Sequence, residues 1–243
     1  MKIGDPIVIV GAARTPIGSF QGVFSNLSAP QLGGIAIKAA LEHARVPGDD
    51  VDEVVMGLCL FAGVKQAPAR QASHLAKIPW SAGATTVSKM CGSGMKAMMF
   101  AYDNLVAGSH KIMIAGGMES MTNSPYLLAK ARAGYRLGHG DEIKDHMFID
   151  GLEDAYESGK LMGSFAEDTA EYYQFTRDDQ DLYAIESLKR AKHATKIGVF
   201  NQEIIPVSIQ RRGVKTTINT DEQPFLNDIK KIPTLRAAFK KNG

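Results

Sequence analysis

Residues 95–107 read as a helix with almost no polar side, since only Lys96, Asp103 and Asn104 interrupt an otherwise apolar run. A helix apolar on nearly every flank belongs in the middle of a protein and not on its surface. The fold must therefore supply layers on more than one side of it. Strand candidates stand at intervals along the first half. Residues 7–10 form a continuous β-branched run before Gly11-Ala12-Ala13 and read as a buried strand. Residues 54–58, 84–87 and 111–116 supply a second, a third and a fourth. Helices alternate with them, and that order predicts an α/β layered core with much parallel pairing.

The punctuation supports this. Ser28-Ala29-Pro30-Gln31 is a capping-box start with proline near the first turn. From it Leu32, Ile35, Ala36, Ala39 and Ala40 form an apolar stripe that ends before Pro47-Gly48. A second helix is expected over residues 69–76, and Gly108 is a natural stop for the apolar helix. After Gly116-Gly117 the pattern changes. Residues 118–165 are irregular, with no clean period. Thr176-Arg177-Asp178-Asp179 then opens a helix that places Leu182, Ile185, Leu188 and Ala191 on one face and closes at Gly198. Residues 203–210 alternate as a strand, with Ile205, Val207 and Ile209 on one side. We read 1–117 as one half of a core and 118–243 as an inserted α+β domain.

Composition removes several function classes. A formal net charge of +2 predicts no nucleic-acid partner, although a mild positive bias favours an anionic ligand. Two cysteines, Cys59 and Cys91, make neither a disulfide framework nor a zinc-ligand spacing, so no metal is expected. Residues 1–6 lack the pattern of a secretory signal, and no apolar stretch is long enough to span a bilayer. The expectation is a cytoplasmic protein with no membrane partner. In a reducing compartment a cysteine is available as a nucleophile.

Cys91 sits where a strand-loop gives way to the apolar helix. Unpaired backbone amides at a helix start carry partial positive charge, which favours a thiolate. Gly92 and Gly94 remove bulk beside the sulfur, and amides there can face an oxyanion when the thiolate attacks a carbonyl. A cysteine near a buried helix is also often just a small hydrophobe. On local chemistry alone both readings stand. Cys59, inside the apolar run 54–61, reads as packing.

Several ordered motifs resemble the thiolase family. Lys89-Met90-Cys91-Gly92-Ser93-Gly94-Met95-Lys96-Ala97 resembles its nucleophile loop, and Ala12-Ala13-Arg14-Thr15-Pro16-Ile17-Gly18 its opening strand-loop. Ala67-Pro68-Ala69-Arg70-Gln71 resembles the family's N-P-A-R-Q with alanine first. Ala115-Gly116-Gly117-Met118-Glu119-Ser120-Met121 matches its A-G-G-M-E-S-M. Leu161-Met162-Gly163, Thr176-Arg177-Asp178-Asp179-Gln180-Asp181 and Glu203-Ile204-Ile205-Pro206-Val207 match its loop domain in order.

The resemblance implies a layered thiolase-like core, first half only, with an inserted loop domain. It implies an acetyl-CoA C-acetyltransferase type of acyl transfer, within fatty-acid metabolism, with coenzyme A and acyl-CoA as substrates and no permanently bound cofactor. Cys91 would carry the acyl group as a thioester, with its backbone N–H as an oxyanion donor. Leu161 and Met162 would face the CoA substrate. The family associates as dimers or tetramers, and residues 122–150 resemble its tetramer-contact segment, so a homo-oligomer is implied.

Departures are equally specific. The family's activating histidine lies in a G-H-P motif and its second cysteine in a C-G-G-G loop, and neither motif occurs here. The histidines at 43, 74, 110, 139, 146 and 193 stand in no comparable motif. The chain is expected to be the N-terminal portion of such an enzyme and incompetent alone. Acetoacetyl-CoA thiolases often have histidine where Leu161 stands, and leucine cannot donate to the pantetheine arm. Asp221-Glu222 lacks the arginine that some members place soon after it, leaving Phe225, Lys230 and Lys231 as substitutes or as ordinary surface residues. The alternatives are a ketoacyl-synthase-like condensing enzyme, whose nucleophile loop differs in kind, and a non-catalytic CoA-binding or oligomerisation module.

Overall fold

The computed structural model describes residues 6–138, 142–211 and 213–243. His139 and residues 1–5, read above for a signal sequence, lie outside them. The chain forms two compact units, Met1–Ser124 with Gln202–Thr220, and Pro125–Asn201 with Asp221–Gly243.

The first unit is built on a parallel sheet. Strand β1 (Glu53–Gly57) lies between β2 (Gly83–Val87) and β3 (Met113–Gly117), with Glu53 opposite both Gly83 and Met113. Each crossover carries a helix, α2 (Pro68–Leu75) between β1 and β2 and α3 (Ser93–Val106) between β2 and β3. Alternation along β1 sorts its side chains by face. Val54, Met56 and Leu58 join Ala69, Ala72, Ile78 and Met118 in the core, and Gly57 lies against the start of α3. Helix α1 (Ala29–Ala44) packs on α2. Its capping box is formed as expected, the Ser28 hydroxyl accepting from Gln31 N and the Gln31 side chain from Ser28 N. Its buried positions are Ala29, Pro30, Gly33, Gly34, Ile37 and Ala39, so of the expected stripe only Ala39 is buried, while Leu32, Ile35, Ala36 and Ala40 are half-buried. A count of large apolar residues overlooks glycines, which here are what face the neighbouring helix.

Two expectations are corrected. Residues 7–10 belong to no strand, and Val8, Ile9 and Val10 are 65%, 77% and 62% exposed. Pairing begins four residues later, where Arg14 N donates to Glu203 O and Ile205 N to Arg14 O. Helix α3 is also not enclosed. It buries Ser93, Ala97 and Ala101, an i, i+4, i+8 stripe of small residues, while Met95, Met98, Met99, Tyr102 and Val106 are at least half exposed. The described residues provide a sheet on one side of it alone. Gly108 takes φ +74° after α3, as its position predicts.

Residues 118–124 return to the first unit through Met118 N to Gly57 O (3.0 Å), and through Ser120 Oγ and Asn123 Nδ2, which both donate to Leu27 O. A hairpin of β6 (Val207–Arg211) and β7 (Val214–Ile218) also belongs to this unit, with Val207 fully buried.

The second unit begins with turns and a two-residue pairing of β4 (Tyr126–Leu127) with β5 (Lys144–Asp145). Helix α4 (Met162–Tyr172) has no pattern that announces it, because Leu161 at its N-cap provides no side-chain cap. Helix α5 (Arg177–Lys196) does. Thr176 accepts from Asp179 N, and Asp179 accepts from Thr176 N. Its face toward the short helix α6 (Gln223–Leu226) and the turns after it carries Leu188 and Ala191, whereas Leu182 is 65% exposed. No helix among the described residues is long and apolar enough to cross a membrane.

Candidate active site

The three parallel strands end side by side, and the chain segments just past those ends meet. Cys59 lies two residues beyond β1, Cys91 four beyond β2 and Glu119 two beyond β3. The carboxyl-terminal edge of a parallel sheet is where α/β proteins assemble their sites.

Helix α3 enters this edge by a close crossing. A side chain at Gly57 would put its first carbon within 2.5 Å of Gly94 N, and one at Gly117 would lie 3.2 Å from the Gly94 Cα. The three glycines let the start of α3 rest directly on backbone. Cys91 is thereby held at the front of the helix, and its side chain is exposed.

The turn that presents Cys91 is tightly tied. Met90 has φ +49°, in the left-handed region that a methionine adopts at a cost. Gly92 N donates to Lys89 O (3.1 Å) and Ser93 N to Met90 O (3.0 Å). Those two amides are therefore spent within the turn, which narrows the backbone donors expected near the sulfur. The Ser93 hydroxyl accepts from Lys89 N (2.8 Å) and donates to Met90 O (2.6 Å).

Cys59 is the contrasting thiol. Burial, then the charge of Glu119, then the neighbouring Cys91 push its thiol above the ordinary value of 9.0, so it stays protonated at neutral pH. Glu119 itself is a residue whose role the sequence did not disclose beyond membership of a motif. Its carboxylate accepts from Cys59 N (2.8 Å) and from Leu60 N (3.4 Å), tying the loop after β3 to the loop after β1. The only signal for it was an acid two residues past a pair of glycines at a strand end.

The described histidines have other occupations. His43 meets Ala12 O at 2.9 Å, His74 stacks on Trp80, His110 lies 3.4 Å from Glu53, and His146 bonds Asp150 at 2.6 Å. His193 lies in the last turn of α5. Among the described residues no cluster of three or more His, Cys, Asp or Glu is suited to a metal ion.

Leu161 and Met162 belong to the second unit, at the N-cap and first residue of α4, with Met162 44% exposed. Asp221 is buried in that unit, and Tyr183, Leu188, Pro224, Lys231 and Ile232 line an open cleft there.

Comparison with known proteins fits this geometry. The family profile described as "Thiolase, N-terminal domain" matches residues 7–243. Acetyl-CoA acetyltransferase 2 of Arabidopsis thaliana is 47% identical over 239 residues, covering 98% of this chain and 59% of the relative. The mitochondrial acetyl-CoA acetyltransferase A of Xenopus laevis is 44% identical over 240 residues, covering 98% and 56%. The Acat5 thiolase from Ascaris suum in complex with coenzyme A superposes with a TM-score of 0.89 at 37% identity, over 97% of this chain and 59% of that one. The chain thus spans somewhat over half the length of these relatives. The expected cytoplasmic location is overturned, since relatives from Xenopus laevis and Danio rerio are mitochondrial by name. That expectation rested on a missing secretory signal, an absence that carries no information about compartment.

Proposed function

That the chain belongs to the thiolase family is the premise from which we propose its function, an exchange of acyl groups between coenzyme A and Cys91. The observation that carries this reading is the exposed Cys91 at the carboxyl edge of the parallel sheet, on a turn fixed ahead of α3 by the glycine crossing. The thiolate attacks the thioester carbonyl of an acyl-CoA, a carbon–sulfur bond forms to Cys91, and the CoA thiolate leaves. One thioester replaces another of similar energy, so the step needs no external driving force. Negative charge on the carbonyl oxygen in between requires a donor. We assign that role to the Cys91 amide.

Carbon–carbon bond formation or thiolysis further needs a base and a second proton-transfer group. The G-H-P and C-G-G-G motifs that supply them in the family are not among these 243 residues, and Cys59, half-buried with its thiol held protonated beside Glu119, does not replace them. The proposal is therefore acyl exchange at Cys91, without condensation turnover by these residues alone. Leu161 and Met162 are proposed to line the path of the CoA arm, from the unit formed by Pro125–Asn201 and Asp221–Gly243. A homo-oligomer built through residues 122–150 completes the reading.

Incubation of the purified chain with acetyl-CoA, followed by intact-mass and peptide analysis, tests it. The expected result is one acetyl adduct, on Cys91 and absent from Cys91→Ser. Coenzyme A binding with no adduct would support a non-catalytic CoA-binding module instead.

A further inference from the structure

The hydroxyl of Ser93 is fully engaged at the site, as an acceptor and as a donor. Ser93 is buried at 4% exposure, and its Oγ makes both of its hydrogen bonds to backbone upstream of Cys91. It is the first residue of α3, yet it caps none of the helix's own amides, and the N-cap residue Gly92 has no side chain with which to do so. The hydroxyl instead spans the turn, accepting from Lys89 N and donating to Met90 O. Between those two contacts lies Met90, with φ +49°, and directly after it Cys91. A methionine released from such constraint would leave the left-handed region, which an L-residue adopts at a cost. Rotation there would turn the Cys91 amide and sulfur together.

We propose that Ser93 is a positioning residue for Cys91, its hydroxyl holding Met90 in the left-handed conformation that aims the Cys91 sulfur and amide at the acyl carbonyl. The assignment rests on Cys91 being the nucleophile. Ser93 touches no reacting atom and acts through the backbone of residues 89–91. Its small size serves a second requirement, because the Ser93 backbone and Cβ lie where a side chain at Gly57 would fall.

The test compares the full chain with Ser93→Ala and with the double variant Met90→Asn/Ser93→Ala. The rate of Cys91 alkylation by iodoacetamide is followed across pH by peptide mass spectrometry, and Cys59 in the same molecule is the reference. Ser93→Ala should slow Cys91 relative to Cys59 by roughly tenfold, the size expected when one buried hydrogen-bonded group is removed. Asparagine tolerates the left-handed region better than methionine, so the double variant should regain most of the lost rate. Equal Cys91 rates in the parent chain and Ser93→Ala would overturn the assignment. So would a double variant as slow, or as unfolded by circular dichroism, as Ser93→Ala. Acetylation of the parent chain by acetyl-CoA separates the two ideas. If Cys91 of the parent chain takes no acetyl group, the nucleophile itself fails; if it does and the variants match it, only the role of Ser93 falls.

Discussion

Ala67 and Met90 share an unusual backbone, with φ of +48° and +49°, but they are supported differently. Met90 has the Ser93 hydroxyl across it. Ala67 is the N-cap of α2 and has no side chain to cap with, although Gln71 secures the loop before it by donating to Val64 O and Gln66 O. In the family motif that Ala67 opens, the residue is asparagine, which accepts the left-handed region more readily. Ala67→Asn should therefore raise the unfolding free energy by about 0.5–1 kcal/mol, seen as a higher urea midpoint at unchanged slope. Asp52 gives a pH-dependent case. Its carboxylate accepts from Ile112 N (3.0 Å) and Lys111 N (2.6 Å), and these bonds, with help from the charges of His110 and Lys111, hold its pKa below the ordinary 3.8. A carboxyl depressed in the folded state contributes stability that is complete above its ordinary value and lost as pH falls through the lower, folded one. Asp52→Asn should flatten the loss of stability below about pH 4 in an acid titration followed by circular dichroism, relative to the parent chain.

The elements show which signals are local and which are not. Helix starts were legible because their signals lie within four residues, and the helices after Ser28 and Thr176 begin where expected, each with a capping box formed. The three paired strands were legible as short segments alternating with helices, at 54–58, 84–87 and 111–116. Helix α4 was not, because Leu161 leaves no cap at its start. The buried face of α1 was only partly placed, through Ala39, because much of its contact surface is made by Gly33 and Gly34. The placement of Cys91 just before α3 was legible through its glycines, but the bonds of Ser93 and Glu119 depend on how three strand ends meet. The crossing of α3 over β1 and β3 is likewise a property of the elements together. Gly57→Ala places a carbon against the backbone of Ser93 and Gly94, which cannot swing aside. It should cost about 2–3 kcal/mol in a denaturant titration and displace the start of α3, so that acetylation of Cys91 falls with it.

For the molecule as a whole, an apolar run did not by itself say whether a segment is enclosed. Residues 7–10 and α3 both read as interior, and both present large apolar side chains to the outside of the described structure. Hydrophobicity is a property of a segment, whereas enclosure depends on every surface that reaches it. The exposed side of α3 has a chemical consequence that can be read without any activity. Met95, Met98 and Met99 are 72%, 50% and 53% exposed, while Met56 and Met118 are buried in the core. Thioether oxidation follows access of the oxidant. Brief treatment of the chain with dilute peroxide should convert the three helix methionines to sulfoxides well before the two core ones, as peptide masses will report. Whatever comes to lie over α3 will slow the first group and leave the second unchanged. The helix thus carries its own record of whether it is covered, written in sulfur oxidation.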